Sequence, residues 1–126
     1  MNLDLSDLQA LDIWRRAIVA SVRHDAPGLS ARQMSVLLTV YLTPPPHTVR
    51  GLAEHLKVTK PVITRAVDRL SELGMVRRKT DPDDRRSVLL QRTVKGSVFL
   101  REFGELIVAA ARTATEGDAT GLPPRY

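Results

Sequence analysis

The chain has no cysteine, which excludes disulfide bridges, thiolate nucleophiles and thiol-based redox sensing together. It also lacks any apolar run long enough to cross a bilayer. The opening MNLDLSDLQALDIW carries acids where a secretory leader would place basic and then apolar residues. A soluble, cytoplasmic protein without membrane attachment is therefore expected. No internal repeat is present, and low complexity is confined to the prolines from Pro44 to Pro46 and the small, polar terminal stretch TATEGDATGLPPRY.

Signatures of catalysis are missing too. His24, His47 and His55 are scattered, with neither H-E-x-x-H nor another metal-ligand spacing. The glycines build no phosphate-cradling loop, and no serine stands in a G-x-S-x-G. Asp81, Asp83 and Asp84 would suit Mg²⁺ in another context, but Arg85 and Arg86 beside them argue for internal neutralisation. The expectation is a protein that is not an enzyme and holds no cofactor and no metal.

What is present is positive charge: 19 Lys and Arg against 14 Asp and Glu, a net +5, in 126 residues. That length suits a single domain with at most an extra helix or tail. The excess charge favours an anionic partner, either nucleic acid or an acidic membrane surface.

Local signals order the chain. Ser6-Asp7-Leu8-Gln9 and Ser30-Ala31-Arg32-Gln33 both have capping-box spacing, each opening a helix. In the first, Leu8, Leu11, Ile18 and Val22, with Trp14 or Arg15 between, form an apolar stripe that must face something apolar, until Asp25-Ala26-Pro27-Gly28 stops it. The second, through MSVLLTVYL, is apolar nearly all round and reads as a core helix. Thr48 caps a short third helix carrying Leu52, Ala53 and Leu56.

A fourth helix follows after Lys57-Val58-Thr59, with either Thr59 or Lys60 as its cap and Pro61 in its first turn, where a missing amide costs little. Val62, Ile63, Ala66, Val67, Leu70 and Leu73 line one side, while Lys60, Thr64, Arg65, Asp68 and Arg69 lie elsewhere on its surface. Gly74 ends it as a left-handed cap. The period then shortens: Met75 to Lys79 and Ser87 to Thr93 read as the strands of a hairpin. A last helix from Val94 carries Val98, Phe99, Leu100, Phe103, Leu106, Ile107 and alanines through Ala111, more apolar surface than one small domain uses.

Two close helices, a glycine stop and a basic hairpin are the parts of a winged helix-turn-helix, with the second helix in the major groove and the hairpin reaching the flanking minor groove. The fold class expected is mainly α with a small β-hairpin. Residues 30–93 form the DNA-binding core, 5–25 and 94–113 flanking dimerisation helices, and 114–126 a flexible tail, within one domain spanning 1–126.

Within the hairpin, DPDDRRSVLLQRT sets acids directly before arginines. Residues two apart on a strand point to the same side, so Asp84 is expected to accept a hydrogen bond from the Arg86 guanidinium and aim it, with Asp81 and Pro82 shaping the turn. Lys60 and Thr64 suit phosphate contact, and at least one of Arg77, Arg78 and Lys79 should face solvent or the protein body. Asp68 reads either as a local partner of Arg65 and Arg69 or as a group that repels the wrong base.

The segment TVRGLAEHLKVTKPVITRAVDRLSELGMVRRKTDPDDRRSVLLQRTVKG resembles the DNA-binding core of the MarR family of bacterial transcription regulators. The likeness lies in its helix-turn-helix, its L-x-x-x-G-x-V-x-R exit and its D-x-x-D-x-R wing. The resemblance implies a dimeric regulator on a pseudo-palindromic double-stranded DNA operator. Arg65 and its neighbours Lys60, Pro61, Thr64 and Arg69 would lie on DNA with Arg77 and Arg85, Arg86 would enter the minor groove, and Asp84 would orient it. It also implies a small-molecule effector pocket. One departure stands out: the chain turns polar after Arg112, where family members carry a further helix, so a readily exchanging homodimer is expected. The competing reading is a winged-helix interaction module whose arginines bind an acidic protein.

Overall fold

The computed structural model describes residues 4–116, which form five helices and a two-stranded antiparallel sheet. The order is α1 (Asp7–Arg23), α2 (Ala31–Leu42), α3 (Val49–Leu56), α4 (Lys60–Glu72), β1 (Val76–Thr80), β2 (Val88–Arg92) and α5 (Val94–Glu116). This is the mainly helical winged-helix class that the sequence leads one to expect. The described residues pack as two compact units: residues 29–99, and residues 4–28 with 100–116. Among the described residues, no helix is long and apolar enough to cross a membrane.

In the 29–99 unit, local chemistry starts and stops each helix. Ser30 Oγ accepts from the Gln33 amide at 3.1 Å while Gln33 Oε1 accepts from the Ser30 amide at 2.9 Å, completing a capping box. Thr48 Oγ1 accepts from the Gly51 amide at 2.9 Å and starts α3. Lys57, at φ 57°, ends it in the left-handed region. Thr59 is the N-cap of α4 but makes no side-chain cap bond, and Pro61 falls in the first turn as expected. Gly74, at φ 73°, turns the chain out of α4 into β1 without the strain a side chain would bring.

The core of this unit is the fully buried set Val36, Leu37, Val40, Leu52, Ile63, Val67, Leu70 and Met75. Burying each side chain removes apolar surface worth about 1.5–3 kcal/mol, which holds α4 against α2 and α3. The hairpin pairs Val76 with Arg92, Arg78 with Leu90 and Thr80 with Val88. Val76 and Leu90 are buried, so the side of the sheet that carries Arg78 faces the body of the unit and Arg77 points away.

The other unit comprises α1 and the part of α5 from residue 100. Ser6 and Gln9 form the expected capping box at 3.0 and 3.1 Å. The stripe of α1 is not the face buried within the chain, however: Leu11, Trp14, Ile18 and Val22 are exposed, whereas Asp12 and Ala17 are buried. The small Ala17 permits close packing. Asp12 tolerates burial because Arg16 Nε donates to it at 2.8 Å and Arg15 donates through Nε at 3.0 Å and its terminal nitrogen at 2.8 Å. These bonds, from Arg16 first and then Arg15, hold the Asp12 carboxyl below its usual range.

On α5, Phe103 and Ala110 are buried, and Trp14 stands edge-on to Phe103 with ring centroids 6.0 Å apart. The helix runs to Glu116, so residues 114–116 are helical rather than part of a flexible tail; the remaining tail residues, 117–126, lie outside the described residues. Thr113 and Thr115 donate their hydroxyls to the carbonyls of Ala109 and Ala111 at 3.2 and 2.7 Å, so these polar residues are satisfied without ending the helix.

Candidate nucleic-acid interface

The first turn of α4, the first turn of α3 and the wing loop converge on one open cleft of about 360 Å³. Lys60 and Thr64 reach it from α4, Thr48, Val49 and Arg50 from the start of α3, and Asp84, Arg86, Ser87 and Val88 from the wing. Four residues singled out in the sequence, Lys60, Thr64, Asp84 and Arg86, are thus brought together. Among the described residues, Arg50, Lys60 and Arg86 form no ion pair, in contrast to Arg15, Arg16, Arg69 and Arg78.

The wing loop is built differently from the expectation for Asp84. Strand pairing stops at Thr80 and resumes at Val88, so Asp84 and Arg86 lie outside the pleat and the two-residue alternation does not govern them. Asp84 Oδ1 accepts from the backbone amide of Arg86 at 3.1 Å, not from its guanidinium. The Asp84 carbonyl accepts from the Ser87 amide at 2.9 Å, and Asp81 Oδ1 accepts from the Asp83 amide at 2.9 Å. Both acids therefore act as turn-formers, each offering a carboxylate to the amide two residues on. Asp84 fixes the chain that carries Arg86 and leaves the guanidinium donors uncommitted.

The other expected site residues are distributed. Arg65 lines a second, smaller cleft of about 160 Å³ with Ser30, Arg32, Gln33, Val62 and Ala66. Pro61 is exposed in the first turn of α4. Arg69 lies 3.7 Å from Glu72, one turn along the helix. Arg77 and Arg85 are exposed and line neither cleft. Asp68 pairs across elements with Arg78 of β1, rather than with Arg65 or Arg69 on its own helix. That pair ties the strand to α4 and removes Arg78 from the outer face.

Arg50 and Arg32 are the cations that the sequence reading missed. Each stands two residues after a capping residue, Thr48 and Ser30 respectively, and so in a first helical turn. The caps were legible, but the convergence of these turns with α4 is a tertiary property. Among the described residues, no group of three or more His, Cys, Asp or Glu could hold a metal ion.

Comparison with known proteins gives the same outline. Residues 28–87 match the MarR family. The fold is similar to that of the transcriptional regulator BldR from Sulfolobus solfataricus, with 27% identity and a TM-score of 0.59 over 94% of this chain and 88% of that one. It is also similar to the S. aureus MepR–DNA complex, with 18% identity and a TM-score of 0.69 over 85% of each chain. A third similar structure is the transcriptional repressor CouR bound to a 23-mer DNA duplex, with 24% identity and a TM-score of 0.67 over 84% of this chain and 72% of that one. The winged-helix segment of the chain thus matches the MarR family of transcription regulators, and its fold is shared with solved transcription regulators along most of its length.

Proposed function

We propose that the protein is a sequence-specific double-stranded DNA-binding regulator that acts as a homodimeric repressor, occupying a pseudo-palindromic operator and blocking promoter access. The observation that carries this reading is the convergence of Arg50, Lys60 and Arg86, unpaired with any described carboxylate, on a cleft open to solvent. In this reading α4 enters the major groove, the wing turns Arg86 towards the adjacent minor groove, and Arg50 and Lys60 hold phosphates. The DNA-bound relatives MepR and CouR support the class of partner, and CouR supports repression. The exposed residues Leu11, Trp14, Ile18 and Val22 of α1 and Val108 of α5 support a second copy as their cover, since a soluble chain rarely leaves such a patch open.

Titration into duplex at several salt concentrations tests this reading. With Arg50, Lys60 and Arg86 from each of two chains on phosphate or in the groove, the slope of log affinity against log salt should be about −5. Two chains should bind each palindromic duplex. Salt-insensitive binding, or binding to an acidic protein in preference to any duplex, would replace this reading with the interaction-module one.

The geometry of the wing makes a second test specific. Asp84→Ala should weaken operator binding although it raises net charge, because the Arg86 amide loses its acceptor and the turn loosens. Asp84→Asn keeps a side-chain acceptor oxygen and should bind at least as tightly as the natural protein. Anisotropy at fixed salt separates the two. Equal weakening by both variants would restore the guanidinium as the partner of Asp84, and tighter binding by both would reduce Asp84 to simple repulsion.

A further inference from the structure

The open end of the hairpin is gathered on one hydroxyl. Tyr41 Oη, near the end of α2, donates to the Met75 carbonyl just before β1 at 2.6 Å and accepts from the Thr93 amide just after β2 at 2.8 Å. Thr93 extends the junction: its Oγ1 donates to the Gly74 carbonyl at 2.7 Å and accepts from the Gly96 amide at 3.0 Å, which starts α5. Arg92, the last residue of β2, reaches back to α2. Its Nε donates to the Val40 carbonyl at 3.0 Å, a terminal nitrogen donates to the Thr43 carbonyl at 3.1 Å, and its guanidinium carbon lies 5.9 Å from the Tyr41 ring centroid. The Val40 carbonyl lacks a helical partner because residue 44 is proline and has no amide to offer.

None of these groups lines the cleft at α4, yet together they bond both ends of the hairpin to α2 and to the residue that closes α4. A lone two-stranded hairpin is at best marginally stable in water, so its pose depends on its anchors. One edge of β2 is held separately, by the Leu90 amide on the His47 carbonyl at 2.9 Å and by the bridge between Thr48 and Leu89. That edge contact and the Asp68–Arg78 pair hold the strands along their length, while the open end, where the two strands meet the body, is held by Tyr41 together with Arg92 and Thr93.

We infer that Tyr41 is the positioning residue of the wing, setting the approach of Arg86 to the minor groove and with it the preference for particular flanking sequence. This rests on the DNA-binding reading above. Clamping the root lowers the ordering cost of delivering a loop-borne arginine, and a narrow A·T-rich groove rewards that delivery most.

The test compares the natural protein, Tyr41→Phe, Arg86→Ala and the double variant on duplexes that differ only in A·T-rich or G·C-rich flanks. Tyr41→Phe removes both bonds of the hydroxyl and should lose roughly three- to tenfold in affinity for the A·T-flanked duplex, and little for the other. In the Arg86→Ala background it should cost nothing further, because nothing remains for it to position. A merely structural role would lower binding equally on both duplexes and in both backgrounds.

Arg92→Ala, which frees the same root from α2, should reproduce the pattern. Wild-type affinity in Tyr41→Phe, fully additive losses, or failure of both root variants to fold would overturn the inference. If the natural protein binds no duplex, the DNA-binding reading itself fails. If it binds duplex and Arg86→Ala weakens that binding while Tyr41→Phe is silent, only the positioning role is lost.

Discussion

Gly96→Ala is expected to lower the unfolding midpoint by roughly 5–15 °C, although alanine is the better helix former by about 1 kcal/mol. A Cβ at residue 96 would stand 2.0 Å from Tyr41 Oη and 2.4 Å from the Met75 carbonyl oxygen. The carbonyl belongs to the backbone and cannot swing aside. Displacing Tyr41 would break its bonds to Met75 and Thr93, at about 1 kcal/mol each, on top of an overpacking cost of about 1–3 kcal/mol. These terms outweigh the propensity gain. Gly104, on the same helix, would meet no atom within 4 Å, so Gly104→Ala should instead stabilise by up to about 1 kcal/mol. Thermal melts of the two variants under identical conditions check the contrast, and a stabilised Gly96→Ala would refute the close approach.

That contrast illustrates what was legible in the sequence. Signals confined to a few neighbouring residues read directly: the capping boxes at Ser6 and Ser30, the Thr48 cap and the left-handed stop at Gly74 all stand where the sequence placed them. The need for glycine at 96 was invisible, because it comes from a tyrosine 55 positions earlier in the chain. Which face of α1 is buried within the chain was not legible for a related reason. Apolar spacing locates a stripe but not the surface that covers it, and a carboxylate such as Asp12 can be buried when two arginines on the same helix bond it.

In the candidate site, position on α4 identified Lys60 and Thr64, the charged wing identified Arg86, and the cleft brings the three together. Arg50 and Arg32 escaped because their proximity to α4 depends on how three helices pack. Asp84 was assigned to the right neighbour but the wrong atom: strand geometry was applied to a loop, where a short carboxylate reaches the amide two residues on.

The second large effect is expected at Arg65. Arg65→Ala should weaken binding to the operator by about 1–3 kcal/mol while affinity for random duplex changes little, if the arginine makes a bidentate base contact from α4. Its exposure on α4, beside the cleft it shares with Arg32, motivates this assignment. Lys60→Ala should differ in kind, weakening specific and random duplexes alike and reducing the magnitude of the salt slope by about 1. Paired measurements on operator and scrambled duplex separate these outcomes. An equal loss on both duplexes in Arg65→Ala would move Arg65 to the phosphate-contacting group.

The most direct measurement of the central claim is a backbone-amide map of the ¹⁵N-labelled full chain titrated with a palindromic duplex. The face assigned to DNA predicts that the largest shifts fall together on Thr48 to Arg50, on Lys60, Ile63, Thr64 and Arg65, and on Asp84 to Val88, the segments that carry the cleft and its arginines. Shifts concentrated on α1 and the 100–116 part of α5, with those three segments unmoved at saturating duplex, would contradict it.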